Sequence, residues 1–251
     1  MDSDKWNGPH EMIECKRAIS PSKLPGIDYA LNPYGGCSHG CLYCYAPELT
    51  HADWSKWNVV KVKTNIAERM GKEIRNIHGV VGVGTVTDPY QSAELRFELT
   101  RTCMKILKDK NIRVHVHTKS NVILRDLDIL TGMQGDFAVT ITSLDPKVSK
   151  IIEPGAPSPE KRLDTLKELT EAGLDTYALT GPVLDILNGK EKEFVDAIVS
   201  TGTKRMYLDR LNERPLLADR MNSAGIKGSR AVLERIRNVA KAAGLKVYDV
   251  F

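Results

Sequence analysis

The chain has 251 residues, 41% of them apolar and 27% charged, with 36 basic against 32 acidic side chains and a net charge of +4. That is the composition of an ordinary globular protein; the charge excess is too small to predict a polyanionic partner, and no apolar run approaches the roughly 18 residues of a membrane span. Five cysteines, three of them clustered, argue for a reducing interior rather than a disulfide framework, and the polar start Met1-Asp2-Ser3-Asp4-Lys5 has no signal-peptide core behind it, so a cytoplasmic setting is expected.

In chain order, residues 1–30 read as an N-terminal extension, followed by a Gly- and Cys-rich loop and a less clear strand-plus-helix unit over Val59 to Ile77. Val80 to Thr87 reads as a buried strand. Ala93 to Lys110 reads as a helix with Leu95, Leu99, Cys103 and Ile106 on one stripe. A strand at Ile112 to Thr118, a helix at Val122 to Thr131 and a strand at Phe137 to Ser143 follow. Pro159 to Ala172 is a helix with Ser158 as N-cap, a proline in its first turn and Gly173 as its stop. Then come a strand at Leu174 to Leu179, a helix at Lys190 to Ser200, a strand at Arg205 to Asp209, a loop-rich excursion over 210–228, a helix at Ser229 to Ala243 and a strand at Lys246 to Val250.

Strands alternating with helices imply right-handed crossovers and a parallel α/β sheet. Periodicity alone does not separate an open doubly wound sheet from a barrel. No linker, repeat or low-complexity tract divides residues 31–251, so they are expected to form one domain.

The most specific feature is Cys37-Ser38-His39-Gly40-Cys41-Leu42-Tyr43-Cys44, three thiols at spacing C-x3-C-x2-C in one tight loop. Soft thiolates select iron–sulfur clusters, zinc or Cu(I) over hard cations. Three ligands leave one coordination position open for chemistry, whereas a structural zinc site closes with four. His39 between the cysteines keeps a non-catalytic Cys3His zinc module as the alternative.

This loop, with an aromatic residue just before its last cysteine, resembles the signature of the radical S-adenosylmethionine (radical SAM) enzymes. Within that superfamily the chain resembles the spore-photoproduct-lyase-like group. The segments that carry the likeness are Asn32-Pro33-Tyr34-Gly35-Gly36-Cys37, Thr87-Asp88-Pro89-Tyr90-Gln91, Thr118-Lys119-Ser120 with Leu124 to Asp128, and Glu153 to Leu163. The resemblance implies a partial (β/α)6 TIM-like barrel and a [4Fe–4S] cluster held by Cys37, Cys41 and Cys44. It further implies S-adenosylmethionine chelated at the open iron, a flavodoxin- or ferredoxin-type electron donor, and a 5′-deoxyadenosyl radical that takes hydrogen from a substrate. That substrate is unidentified, and a nucleic-acid base is the class the likeness suggests.

The same resemblance places Thr87 and Asp88 at the methionine amino group, Lys119 at the ribose or carboxylate, Ser143 at another polar group, Tyr43 and Tyr45 beside the adenine, and Pro182 on its face. A chelated zwitterion needs a cation for its carboxylate and an acceptor for its ammonium, and Lys119 and Asp88 are one of each; Arg162 is a second cation candidate, or an ion-pair partner of Glu153.

Spore photoproduct lyase uses a cysteine near the end of its second strand to return hydrogen to product. Here that region reads Gly84-Thr85-Val86-Thr87-Asp88-Pro89, without one, which argues against repair of the thymine photoproduct. Cys15 is a candidate hydrogen donor if the N-terminal segment folds over the mouth, while Cys103 reads as a buried core thiol. His115, His117 and Lys119 alternate along one strand and share a face, where the histidines read as satisfied interior groups rather than metal ligands. Trp54 and Trp57 read as local packing of the cysteine loop, or as a substrate platform or lid, and the mixed charges from Asp209 to Arg220 as a solvated face or an anion site.

Overall fold

Valine alternates with histidine along Val114-His115-Val116-His117-Thr118, and the chain forms a strand there. Its valines enter the main apolar core with Met104 and Leu107 of the neighbouring helix Leu99–Asp109, while its histidines point the other way, into a cavity. The computed structural model describes residues 6–250, and this two-faced pattern organises them.

The strands are β1 (His10–Ile13), β2 (Ile19–Pro21), β3 (Tyr29–Leu31), β4 (Tyr34–Gly35), β5 (Val60–Lys63), β6 (Val81–Val83), β7 (Val114–Thr118), β8 (Gly135–Thr140), β9 (Thr176–Thr180), β10 (Arg205–Leu208) and β11 (Lys246–Asp249). The larger sheet has the order β11-β10-β9-β8-β7-β6-β3-β2. Neighbours from β3 through β11 are all parallel, and only β2 runs against β3. A small second sheet has the order β1-β5-β4. The fold is thus mixed α/β with a large parallel sheet. Among the described residues no helix is long and apolar enough to cross a membrane.

The helix–strand alternation from Val80 onward matches the pattern in the sequence, with differences that have physical causes. The helix expected over Ala93 to Lys110 is two helices, Glu94–Phe97 and Leu99–Asp109, broken at Glu98 with φ 49°. Glu94 explains the break: its buried carboxylate turns back to accept the Thr100 and Arg101 amides (2.8 and 2.9 Å), capping the second helix from the first. The segment expected as a helix from Val122 is a 3-10 turn over Asn121–Asp126 followed by a short helix, Leu127–Leu130. The Val59 to Ile77 unit contributes β5 and the helix Ile66–Glu73, but β5 belongs to the small sheet. The first parallel strand of the large sheet is instead β3, so the segment that read as an extension supplies β2 and most of β3. Its first five residues lie outside the described region.

Besides the four-residue helix Ala46–Leu49 in the cysteine loop, two longer helices escaped the periodicity. Pro146–Ile152 starts at Asp145, whose carboxylate accepts the Lys147 amide at 2.8 Å. Pro215–Ser223 lies inside the loop-rich excursion.

Candidate active site

The cysteine loop crosses the carboxyl ends of the parallel strands and is fixed from three sides. The Cys37 amide donates to the Trp57 carbonyl at 2.8 Å, and Gly36, at φ +67°, lies so close that a Cβ there would meet the Val59 carbonyl at 2.5 Å. Gln91, fully buried at the end of the turn after β6, accepts the Ser38 amide (2.8 Å) and donates to the Gly36 carbonyl (3.2 Å). From the third side, Leu42 donates to the Ile152 carbonyl (2.8 Å) and Gly155 to the His39 carbonyl (2.9 Å). A Cβ at Gly155 would strike the Ser38 carbonyl, so glycine is required for that approach.

Cys37, Cys41 and Cys44 are free thiols on the wall of one cavity of about 600 Å³. Burial pushes Cys37 and Cys41 up to about 12 and Cys44 up to about 11, so the site favours neutral thiols until a cation replaces the protons. Among the described residues no group of His, Cys, Asp or Glu gathers closely enough to hold a single metal ion. His39 does not join the thiols; its Nδ1 lies 3.4 Å from the Asp88 carboxylate. Three thiols spread around one cavity wall suit a multi-atom iron–sulfur cluster better than the Cys3His zinc alternative.

Thr87, Asp88, Lys119, Tyr43, Tyr45 and Pro182 line the same cavity. Asp88 also has a structural task. One carboxylate oxygen accepts the Tyr90 amide (2.9 Å) and the Thr118 hydroxyl (2.6 Å), and the other accepts the Lys119 amide (2.7 Å) and faces His39. These bonds tie the turn after β6 to β7, and the contact with His39 adds the cysteine loop.

Lys119 Nζ sits 5.5 Å from the Tyr43 ring centroid. Burial opposes its charge, but Cys41 and Glu153 outweigh that and hold the ammonium pKa above its ordinary value. The Tyr43 hydroxyl donates to the buried Glu153 carboxylate, which also accepts the Thr142 hydroxyl at 2.8 Å. Arg162 closes this network at 2.5 Å from Glu153, with further bonds to the Pro157 carbonyl and Ser149. Burial raises the Glu153 carboxyl, yet Arg162 and Lys119 more than offset it and keep the group below its usual range.

Three candidates therefore do not reach the cavity. Arg162 is consumed by Glu153 and is a strut beneath the loop, not a ligand-facing cation. Ser143 is buried with its hydroxyl accepting the Asp145 amide at 3.0 Å, inside the turn that starts the next helix. Cys15 packs into the main apolar core and exchanges backbone hydrogen bonds with the Asn65 side chain (2.8 and 3.1 Å), so the segment does not bring its thiol over the mouth. Cys103 is a core thiol, as expected. Trp57 packs with Cys37 and Ala46, with Trp54 against that group, in keeping with local packing.

The cavity floor is polar. His115 and His117 both reach the Tyr177 hydroxyl (2.8 and 2.5 Å), and Asp136 lies 3.9 Å from His115. Burial, with His115 and Lys119 nearby, pushes His117 down to about 3, so it is a neutral interior histidine. Asp136, beside His115, Arg113 and Arg205, is held far below the usual carboxylate range. Tyr177 and Asp136 were not singled out in the sequence, although both lie on the inward-facing positions of their strands.

Comparison with known proteins agrees with this geometry. Residues 31–198 match the model of the Radical SAM superfamily. An uncharacterised protein of Methanocaldococcus jannaschii is 34% identical over 207 residues, covering 80% of this chain and 76% of its own. One from Mycobacterium tuberculosis is 33% identical over 192 residues, 70% of this chain and 56% of its own. Among solved structures, spore photoproduct lyase complexed with dinucleoside spore photoproduct superposes with a TM-score of 0.70 at 15% identity, over 96% of this chain and 82% of that one. Streptococcus suis SuiB bound to S-adenosylmethionine gives 0.59 at 12% identity, over 88% and 49%. The family model spans most of the chain, including the three-thiol loop and the strand ends that hold it: the chain belongs to the radical SAM superfamily and is an enzyme of that type.

Proposed function

We propose that Cys37, Cys41 and Cys44 hold a [4Fe–4S] cluster and that the cavity beside them binds S-adenosylmethionine. The observation that carries this reading is the convergence of three free thiols, Lys119, Thr87, Tyr43, Tyr45 and Pro182 on one 600 Å³ space. Cluster and cofactor together supply one-electron cleavage of the sulfonium bond and a 5′-deoxyadenosyl radical when bound.

The residues of the chain then have distinct tasks. Lys119 neutralises the cofactor carboxylate, with Cys41 and Glu153 keeping it protonated. Thr87, on the wall with its hydroxyl 3.4 Å from the Tyr34 carbonyl, takes the amino group. Tyr43, Tyr45 and Pro182 border the adenine and keep water from it. Asp88, Gln91 and Glu153 hold the loop so that its thiols keep a fixed spacing.

The sheet supports a partial (β/α)6 barrel as the finer description, because one cavity is lined from Leu24 near its β2 edge to Asp249 at its β11 edge. We further propose a cytoplasmic setting, a flavodoxin- or ferredoxin-type electron donor and a nucleic-acid base as substrate class. The likeness to a lyase solved with a dinucleoside photoproduct supports the last of these. Cys15 lies in the core and is not placed to return hydrogen at this cavity. The test is 5′-deoxyadenosine formation by the reconstituted protein under a strong reductant. Wild type produces it, a Cys37→Ala, Cys41→Ala, Cys44→Ala variant does not, and equal yields from both overturn the reading.

A further inference from the structure

One cation near the cysteine loop is not used by any of these tasks. Arg220, on the helix Pro215–Ser223, donates from its guanidinium to the carbonyl of Cys44 itself at 2.8 Å. The central guanidinium carbon lies over the Trp54 ring, 3.6 Å from its centroid, and the Nε is buried with no hydrogen-bond partner. Of the acidic groups that act on it, Cys44 comes first and Glu48 second, and the Glu48 carboxylate is already accepting the Leu217 amide at 3.0 Å. The helix is seated against the loop, with Leu217 and Met221 packed against Cys41 and Tyr43.

An arginine that only anchored this helix would be expected to satisfy its donors or pair with a carboxylate, since an orphaned buried donor is costly. Here the charge is held over an aromatic face, shielded by it, and directed at a cluster ligand. Reduction adds one negative charge to whatever Cys44 helps hold. A fixed cation nearby stabilises that added charge, more strongly where water is excluded.

We propose that Arg220 sets the reduction potential of the cluster, raising it so that a physiological reductant can deliver the electron. This rests on the reading that the three cysteines hold a cluster. Arg220 acts through Cys44 and is a positioning residue.

The experiment is an anaerobic redox titration of the reconstituted holoprotein, followed by the EPR signal of the reduced cluster. Arg220→Gln keeps a donor for the Cys44 carbonyl and removes the charge, so its midpoint potential becomes more negative than wild type at equal iron content. Arg220→Lys keeps the charge and stays close to wild type. Trp54→Leu leaves the arginine but admits water around it, giving a smaller shift in the same direction; it carries the test if the glutamine variant does not take up iron. An unchanged potential in Arg220→Gln, or in Trp54→Leu where that variant carries the test, overturns the proposal while leaving the cluster reading intact. A wild-type protein that forms no reducible cluster overturns the cluster reading itself.

Discussion

The Tyr43 hydroxyl is bound to the Glu153 carboxylate across 110 positions of sequence, joining the cysteine loop to the segment after the helix Pro146–Ile152. Neither partner is exposed, and Arg162 stands behind Glu153 as its counter-charge. The loop thus rests on a buried ion pair, an arrangement whose stability depends on both members being present.

Removing one member is accordingly expected to be severe. Glu153→Ala leaves the Arg162 guanidinium buried without its partner and costs about 3–5 kcal/mol. Replacing both by methionine recovers only part of that loss, because it removes the unpaired charge but leaves the Tyr43 and Thr142 hydroxyls without their acceptor. Urea unfolding of the wild type, the single variant and the double variant checks this. A single variant as stable as wild type contradicts it.

Glycines 36 and 155 are needed for the fit of the loop rather than for its flexibility. Gly36→Ala must relieve both a positive φ and a contact with the Val59 carbonyl, and Gly155→Ala must displace Ser38. Each variant is expected to retain its far-ultraviolet circular dichroism and to take up severalfold less iron on reconstitution.

Lys119 is the cavity cation, whereas Arg162 is a strut. Lys119→Met is expected to weaken S-adenosylmethionine binding by roughly 10- to 100-fold, the equivalent of about 1.5–3 kcal/mol for a charge-assisted bond. Equilibrium dialysis against the labelled cofactor measures it. Ser143→Ala, away from the cavity, is expected to leave that affinity unchanged.

The neutral floor histidine has a stability signature. His117 is held at about 3, below the ordinary value of 6.5, facing Tyr177, His115, Lys119 and, more distantly, Asp136. Between those pH values the unfolded chain binds more protons than the folded one. Stability is therefore fully present above about 6.5 and is lost as the pH falls toward 3. His117→Gln keeps a donor for the Tyr177 hydroxyl and is expected to flatten that acid limb in denaturation midpoints taken from pH 7 to 4. His39, also pushed down by burial, retains part of the slope.

What the sequence made legible follows from local signals. Three thiols in one loop, the Ser158 cap with Gly173 as stop, and valine–histidine alternation in β7 are short-range patterns that tertiary contacts did not override. Asp88 and Arg162 were expected around the cofactor by resemblance, but their partners lie up to 49 residues away, which a linear reading does not display. Gln91 was visible in its motif, yet its hold on Gly36 and Ser38 spans 55 and 53 residues. The break at Glu98 was hidden because its cause, the Glu94 side chain capping the following helix, looks in sequence like an ordinary helical glutamate.

Every role proposed for the cavity depends on Cys37, Cys41 and Cys44 holding a cluster with a position open to S-adenosylmethionine. Low-temperature EPR of the reduced, anaerobically reconstituted protein, with and without that cofactor, tests it most directly. The expected result is a reduced-cluster signal whose g values change when S-adenosylmethionine is added. A cluster signal indifferent to the cofactor, or a colourless protein holding one tight zinc ion, would contradict it.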